Sequence, residues 1–148
     1  MTMTDSPDFE KQAQETVTAC IKSNPLGGSA RIVPVICQQI AHAARVNKAP
    51  KDAVIAACRG AANAVLLGGQ SVPDAAIGIM DALPGMSLMM RSGPEDLMSW
   101  VMEGVADVMP MAGDEIRDAL SARIEEKFMG ASMIFNEYCE AANKKPRD

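Results

Sequence analysis

In four places along this chain a proline is followed within two residues by an acid and then by an apolar stripe at helical spacing. Ser6-Pro7-Asp8, Pro50-Lys51-Asp52, Ser71-Val72-Pro73-Asp74 and Ser92-Gly93-Pro94-Glu95 all read as helix beginnings. Proline needs no donor in the first turn, and a carboxylate there answers the helix dipole. No segment alternates polar and apolar residues as a half-buried strand does. The pattern predicts an all-α fold, a single-domain bundle of about five or six helices.

The spacing places a first helix over 7–23, with Phe9, Ala13, Val17, Cys20 and Ile21 on one side, and a second over 30–46, with Val33, Ile36, Cys37, Ile40 and Ala44 inward. The third, over 51–67, is nearly all Ala, Val, Ile and Leu and belongs at the centre. Arg59 and Asn63 mark the side expected to reach water. A fourth over 73–83 stops at Pro84-Gly85, and Ser92 with Glu95 forms a capping box for a fifth over 93–109. The last is expected to run unbroken from Asp114 to Ala142, roughly 43 Å at 1.5 Å per residue, and to brace the bundle. Its stripe is Ile116, Leu120, Ile124, Phe128, Ala131, Ile134, Phe135, Tyr138 and Ala142. Residues 1–6 read as a disordered terminus, 7–142 as one helical domain and 143–148 as a frayed tail.

Size allows one domain without staples: a chain of 148 residues buries roughly two-thirds of its unfolded surface. Hydrophobic residues make up 48% of it and aromatics only 3%, so the core is built of Ala, Val, Ile, Leu and Met. The net charge of -5 argues against a nucleic-acid partner, which would be met by clustered Lys and Arg. Acids and bases balance at seven each over residues 1–90, while 91–148 carry twelve acids against seven bases. A basic protein would be steered to that part; a solvated acidic surface is the plainer explanation. The amino terminus has no apolar signal-like run and no stretch suits a bilayer, so the expected location is cytoplasmic, with no membrane partner.

Chemistry-bearing motifs are weak. Gly27-Gly28 lacks the continuation of a phosphate-binding loop and reads as a connector. Cys20, Cys37, Cys58 and Cys139 are far apart, lie on or beside their helices' stripes, and read as core thiols, with a cluster formed only in three dimensions left open. His42, the only histidine, has no acid nearby in sequence to orient it and reads as a surface residue. Pro50 to Val54 and Pro94 to Met98 begin alike, but the match covers only capping positions. No catalytic residue, cofactor or metal is expected.

Methionine is the anomaly, with ten of twelve between Met80 and Met133. Thioethers suit Cu(I), flexible Met side chains line adaptable grooves, and Met also fills a core short of aromatics. On the fifth helix Leu97, Met98, Val101, Met102 and Val105 share one arc, while Trp100 projects with Asp96, Glu103 and Asp107. A tryptophan on a polar face is either covered by the fold or held for a partner, and Gly104 beside it permits close approach. Met129 and Met133 lie opposite the last helix's stripe, which calls for a second neighbour. The leading expectation is a non-catalytic, oligomeric protein-interaction module with an adaptor, inhibitor or immunity-type role. Its contact residues would be Asp96, Trp100, Glu103, Gly104, Met129 and Met133, meeting a second copy or another protein. The alternative is a binder of a small apolar ligand in a cavity lined by Met80, Met86, Met98 and Met102.

Overall fold

A computed structural model describes residues 8–46, 49–88, 90 and 92–144. Among them the chain is all-helical, with eight helices: α1 (Phe9–Ser23), α2 (Ser29–Ala44), α3 (Pro50–Leu67), α4 (Val72–Ser87), α5 (Pro94–Ala106), α6 (Met109–Ala112), α7 (Asp114–Lys127) and α8 (Ala131–Lys144). The expected disordered stretch 1–6 and most of the expected frayed tail lie outside the described residues. Asn143 and Lys144 are helical.

The helix starts follow the chemistry of their first turns. Asp8 caps α1 by accepting from the Lys11 amide, and Ser71 caps α4 by accepting from the Asp74 amide. The expected capping box at α5 does not form: Gly93 is the cap and no side chain bonds there. α4 passes through Pro84 to Ser87. Pro84 brings no backbone donor to the helix, and the Ser87 hydroxyl donates to the Pro84 carbonyl at 2.9 Å.

The helix count rises above six because the last expected helix divides and a further single turn forms around Pro110, beyond the expected fifth helix. α5 ends at Ala106 and a single turn, α6, follows around Pro110. The expected 114–142 helix breaks at Phe128-Met129-Gly130 into α7 and α8, with Gly130 at φ +90, a conformation open to glycine at little cost. Ile134, expected inward, is consequently 43% exposed, while Cys139 takes a buried place beside Phe135 and Ala142. In α2 the buried line is Ile32, Ile36, Ile40, Ala43 and Ala44, so Val33 and Cys37 sit half-buried at its edge rather than inward.

α3 is the hub. It meets α1 over the most extensive contact of the fold and also packs on α5, α2 and α4. Two glycines set these approaches. A Cβ on Gly60 would land on the Glu10 carbonyl of α1, and one on Gly104 of α5 would lie 2.6 Å from the Cys58 Cβ and 2.7 Å from the Ile55 carbonyl oxygen. Neither clash is with a flexible side-chain end. Arg59, expected on the wet side, lies between the two crossings and bonds Glu10 and Asp107 at 2.9 Å each. Burial works against its charge, and the bonds to both carboxylates outweigh it, so the Arg59 pKa is raised. Asn63 is half-buried, with its Oδ1 buried and without a hydrogen-bond partner among the described residues.

Gly60→Ala is expected to destabilise the fold by about 2 to 3 kcal/mol through overpacking against backbone. Gly85→Ala, in α4 where an added Cβ meets nothing within 4 Å, is expected to stabilise by up to about 1 kcal/mol through helix propensity. Urea midpoints at unchanged slope check both; equal shifts of the same sign would contradict the α1–α3 contact.

Candidate functional site

Three groups of residues singled out in the sequence occupy three different environments. The first is one side of α5. Trp100, Gly104 and Asp107 stand at i, i+4 and i+7, and this line meets α3: Gly104 is buried against Cys58 and Ile55, and the Asp107 carboxylate, 6% exposed, holds Arg59. The close approach that Gly104 permits is therefore used by the chain's own α3. Trp100 is half-buried and packs against the core, Glu103 is half-buried, and Asp96 is exposed in the first turn. The neighbouring line belongs to α8, where the Ser99 and Tyr138 hydroxyls are 2.6 Å apart.

The second group comprises the methionines proposed to line a cavity. Met80 and Met102 are fully buried, enclosed with Ala76, Val101, Val105, Leu120, Ile124 and Phe135 around a space with no room for a water molecule. Met86 and Met98 are half-buried and pack on the same core. Here methionine fills the gaps that a core short of aromatics leaves, and a ligand at this place would have to displace these side chains.

The third group is the corner between α7 and α8. Met129 is 92% exposed and Met133 69% exposed, and Ile134, next to Met133 in α8, is 43% exposed. The corner is built. The Glu125 carboxylate accepts from the Gly130 amide at 3.1 Å and from the Ser132 hydroxyl at 2.6 Å, supplying the acceptor that the N-terminus of α8 requires. Arg123 pairs with Asp74, and Lys127 with Asp81 at 2.6 Å, which ties the last two turns of α7 to α4. The corner was missed in the sequence although its parts were visible: Gly130 was the one glycine inside an otherwise helical stripe, and Glu125 stands five residues before it.

The thiols and the imidazole fall elsewhere. Cys58 and Cys139 are buried, Cys20 and Cys37 half-buried, and all four are free. Burial pushes the Cys58 thiol well above its ordinary value, with Cys37 adding to the shift, and raises Cys139 to about 11 against the pull of Arg117. Thiols so placed are poor nucleophiles. His42 is exposed, with its ring edge-on to Phe9 at 5.5 Å. Among the described residues no group of three or more His, Cys, Asp or Glu side chains is placed to hold a metal ion, and no helix is long and apolar enough to cross a membrane.

Comparison with known proteins adds no relative: no family model, no curated protein and no solved structure matches this chain.

The bonds from Ser132 and Gly130 hold the Glu125 carboxyl below the ordinary glutamate value of 4.5. Because the folded-state pKa lies below the unfolded one, the cap contributes fully above that ordinary value and is lost as pH falls through the folded pKa. The Gly130 amide resonance is expected to titrate with a midpoint under 4.5, and Glu125→Gln is expected to abolish that titration. A midpoint at or above the ordinary value would show that the carboxylate does not cap α8.

Proposed function

We propose that this chain is a non-catalytic, cytoplasmic protein-interaction module that works as an oligomer, and that its contact surface is the α7–α8 corner. The observation that carries the reading is the exposure of Met129, Met133 and Ile134 on a corner whose backbone is fixed by the Glu125 cap. Large apolar side chains exposed on a fixed backbone gain the area they bury on binding at little cost in backbone freedom. Methionine suits such a surface because its thioether adapts to the opposing shape. The half-buried Trp100, with Asp96 and Glu103, supplies a second and more polar contact area on α5. The acidic excess of residues 91–148 favours a contact whose periphery carries positive charge.

Replacing both exposed methionines, Met129→Lys with Met133→Lys, is expected to weaken self-association or partner capture at least about tenfold. Thermal stability should stay within about 0.5 kcal/mol of the parent, as for exposed positions generally. Sedimentation equilibrium and thermal melts on the same samples check both halves. An oligomer undiminished by the double substitution would move the contact away from this corner.

A further inference from the structure

Five of the seven large apolar side chains exposed among the described residues fall in two places. Met129, Met133 and Ile134 mark the α7–α8 corner. Leu26 and Leu67, 98% and 71% exposed, stand at the end of the bundle where α1 and α3 finish. That end is tied together: the Gln70 side-chain amide donates to the Pro25 carbonyl at 3.2 Å, joining the loop that carries Leu26 to the loop that follows Leu67. Gly68 passes so near α1 that an added Cβ would lie 3.0 Å from the Ile21 side chain. A leucine 98% exposed gives nothing to the core of its own molecule.

Charge separates the two places. No acid occurs between Glu15 and Asp52, nor between Asp52 and Asp74. The segments that present Leu26 and Leu67 therefore carry the exposed Lys22 and Arg31 and no carboxylate. The corner is the reverse. Glu125, Glu126, Glu137 and Glu140 stand there against one base, Lys127, which Asp81 already holds. Met133, Glu137 and Glu140 follow at i, i+4 and i+7, so the apolar and acidic groups share one face of α8.

We infer that this chain assembles head to tail, the Leu26 and Leu67 end of one copy seated on the Met129 and Met133 corner of the next. The arrangement rests on the oligomeric reading above and names the surface that the corner meets. Pairing corner with corner about a twofold axis would bring Glu126 and Glu137 toward their like, and pairing the leucine ends would do the same for Lys22 and Arg31. The mixed pairing opposes acid to base and covers the exposed apolar side chains of both places. The two surfaces are also separate. α4 begins at Ser71, beside the first, and its Asp81 meets Lys127 at the second, about 15 Å further along at 1.5 Å per residue. One molecule can use both at once, and a contact between unlike surfaces builds a ring or an open chain.

Leu26→Gln with Leu67→Gln is expected to weaken self-association of the full chain at least about tenfold, with the melting temperature of the parent retained because both side chains are exposed. Mixing then tests the arrangement. Neither this variant nor Met129→Lys with Met133→Lys is expected to assemble alone, since each lacks one of the two surfaces. An equimolar mixture is expected to give a one-to-one dimer that grows no further, because one intact end and one intact corner remain between the two chains. Sedimentation velocity with one variant fluorescently labelled reads the result. No dimer in the mixture, or a leucine variant that assembles as well as the parent, would overturn the head-to-tail contact; the corner reading would survive if the methionine variant were still impaired. A parent chain monomeric at every concentration would overturn the head-to-tail contact and the oligomeric reading together.

Discussion

The close passage of α1 and α5 over α3 is the constraint on which the remainder of the structure depends. At Gly60 and Gly104 helix backbones approach until no Cβ fits between them, a distance that Ala-rich faces tolerate and larger ones do not. Such contacts replace the bulk that aromatic side chains would otherwise provide, and they leave no slack: helices this close have one angle and one register. Arg59 completes the arrangement by reaching both neighbours at once, through Glu10 and Asp107. Its two ion pairs add direction more than energy, since a third of the Arg59 side chain stays in water and exposed pairs contribute little.

With α5 held against α3, its adjacent side is left to receive α8, and the division of the molecule follows. The part around α3 is closed by backbone contact. The α8 end is closed by side chains alone, Phe135, Cys139 and Ala142 on the core and Tyr138 on Ser99. A helix attached in this way opens at lower free energy than a helix locked by its neighbours' backbones. The same asymmetry places the exposed Met129 and Met133 at the break between α7 and α8.

Much of the fold was legible in the residues. Pro and acid pairs located the starts of α3, α4 and α5 within a residue or two, and the composition of 51–67 identified the central helix, because a helix apolar all round has only one place to go. The failures have physical causes. A lone glycine costs a helix only about 1 kcal/mol, so Gly130 did not outweigh a stripe in perfect phase, and the decisive partner, Glu125 on Gly130 and Ser132, appears only once the chain has bent. Asp107 looked like part of a wet face because charge is a reliable sign of exposure only when its counterion is not brought from elsewhere; Arg59, which holds it, is nearly fifty residues away and itself keeps a third of its side chain in water. The polar side of α5 was real, but it is shared between α3 and solvent. Of the candidate contact residues, Met129 and Met133 are fully displayed, Trp100 is half-covered, and Gly104 serves the core. Helical projection cannot separate these cases because it places residues on a face without saying which helix lies opposite.

Native-state hydrogen exchange as a function of denaturant tests the central claim most directly. If backbone contact at Gly60 and Gly104 is what holds the molecule together, amides in the middle of α3, from Ala57 to Ala64, will exchange only through global unfolding. Amides of α8 will then exchange through a smaller opening of lower free energy and weaker denaturant dependence, with α7 still protected. Exchange of α3 and α8 through one common global opening, or earlier loss of protection in α3 than in α8, would contradict the account.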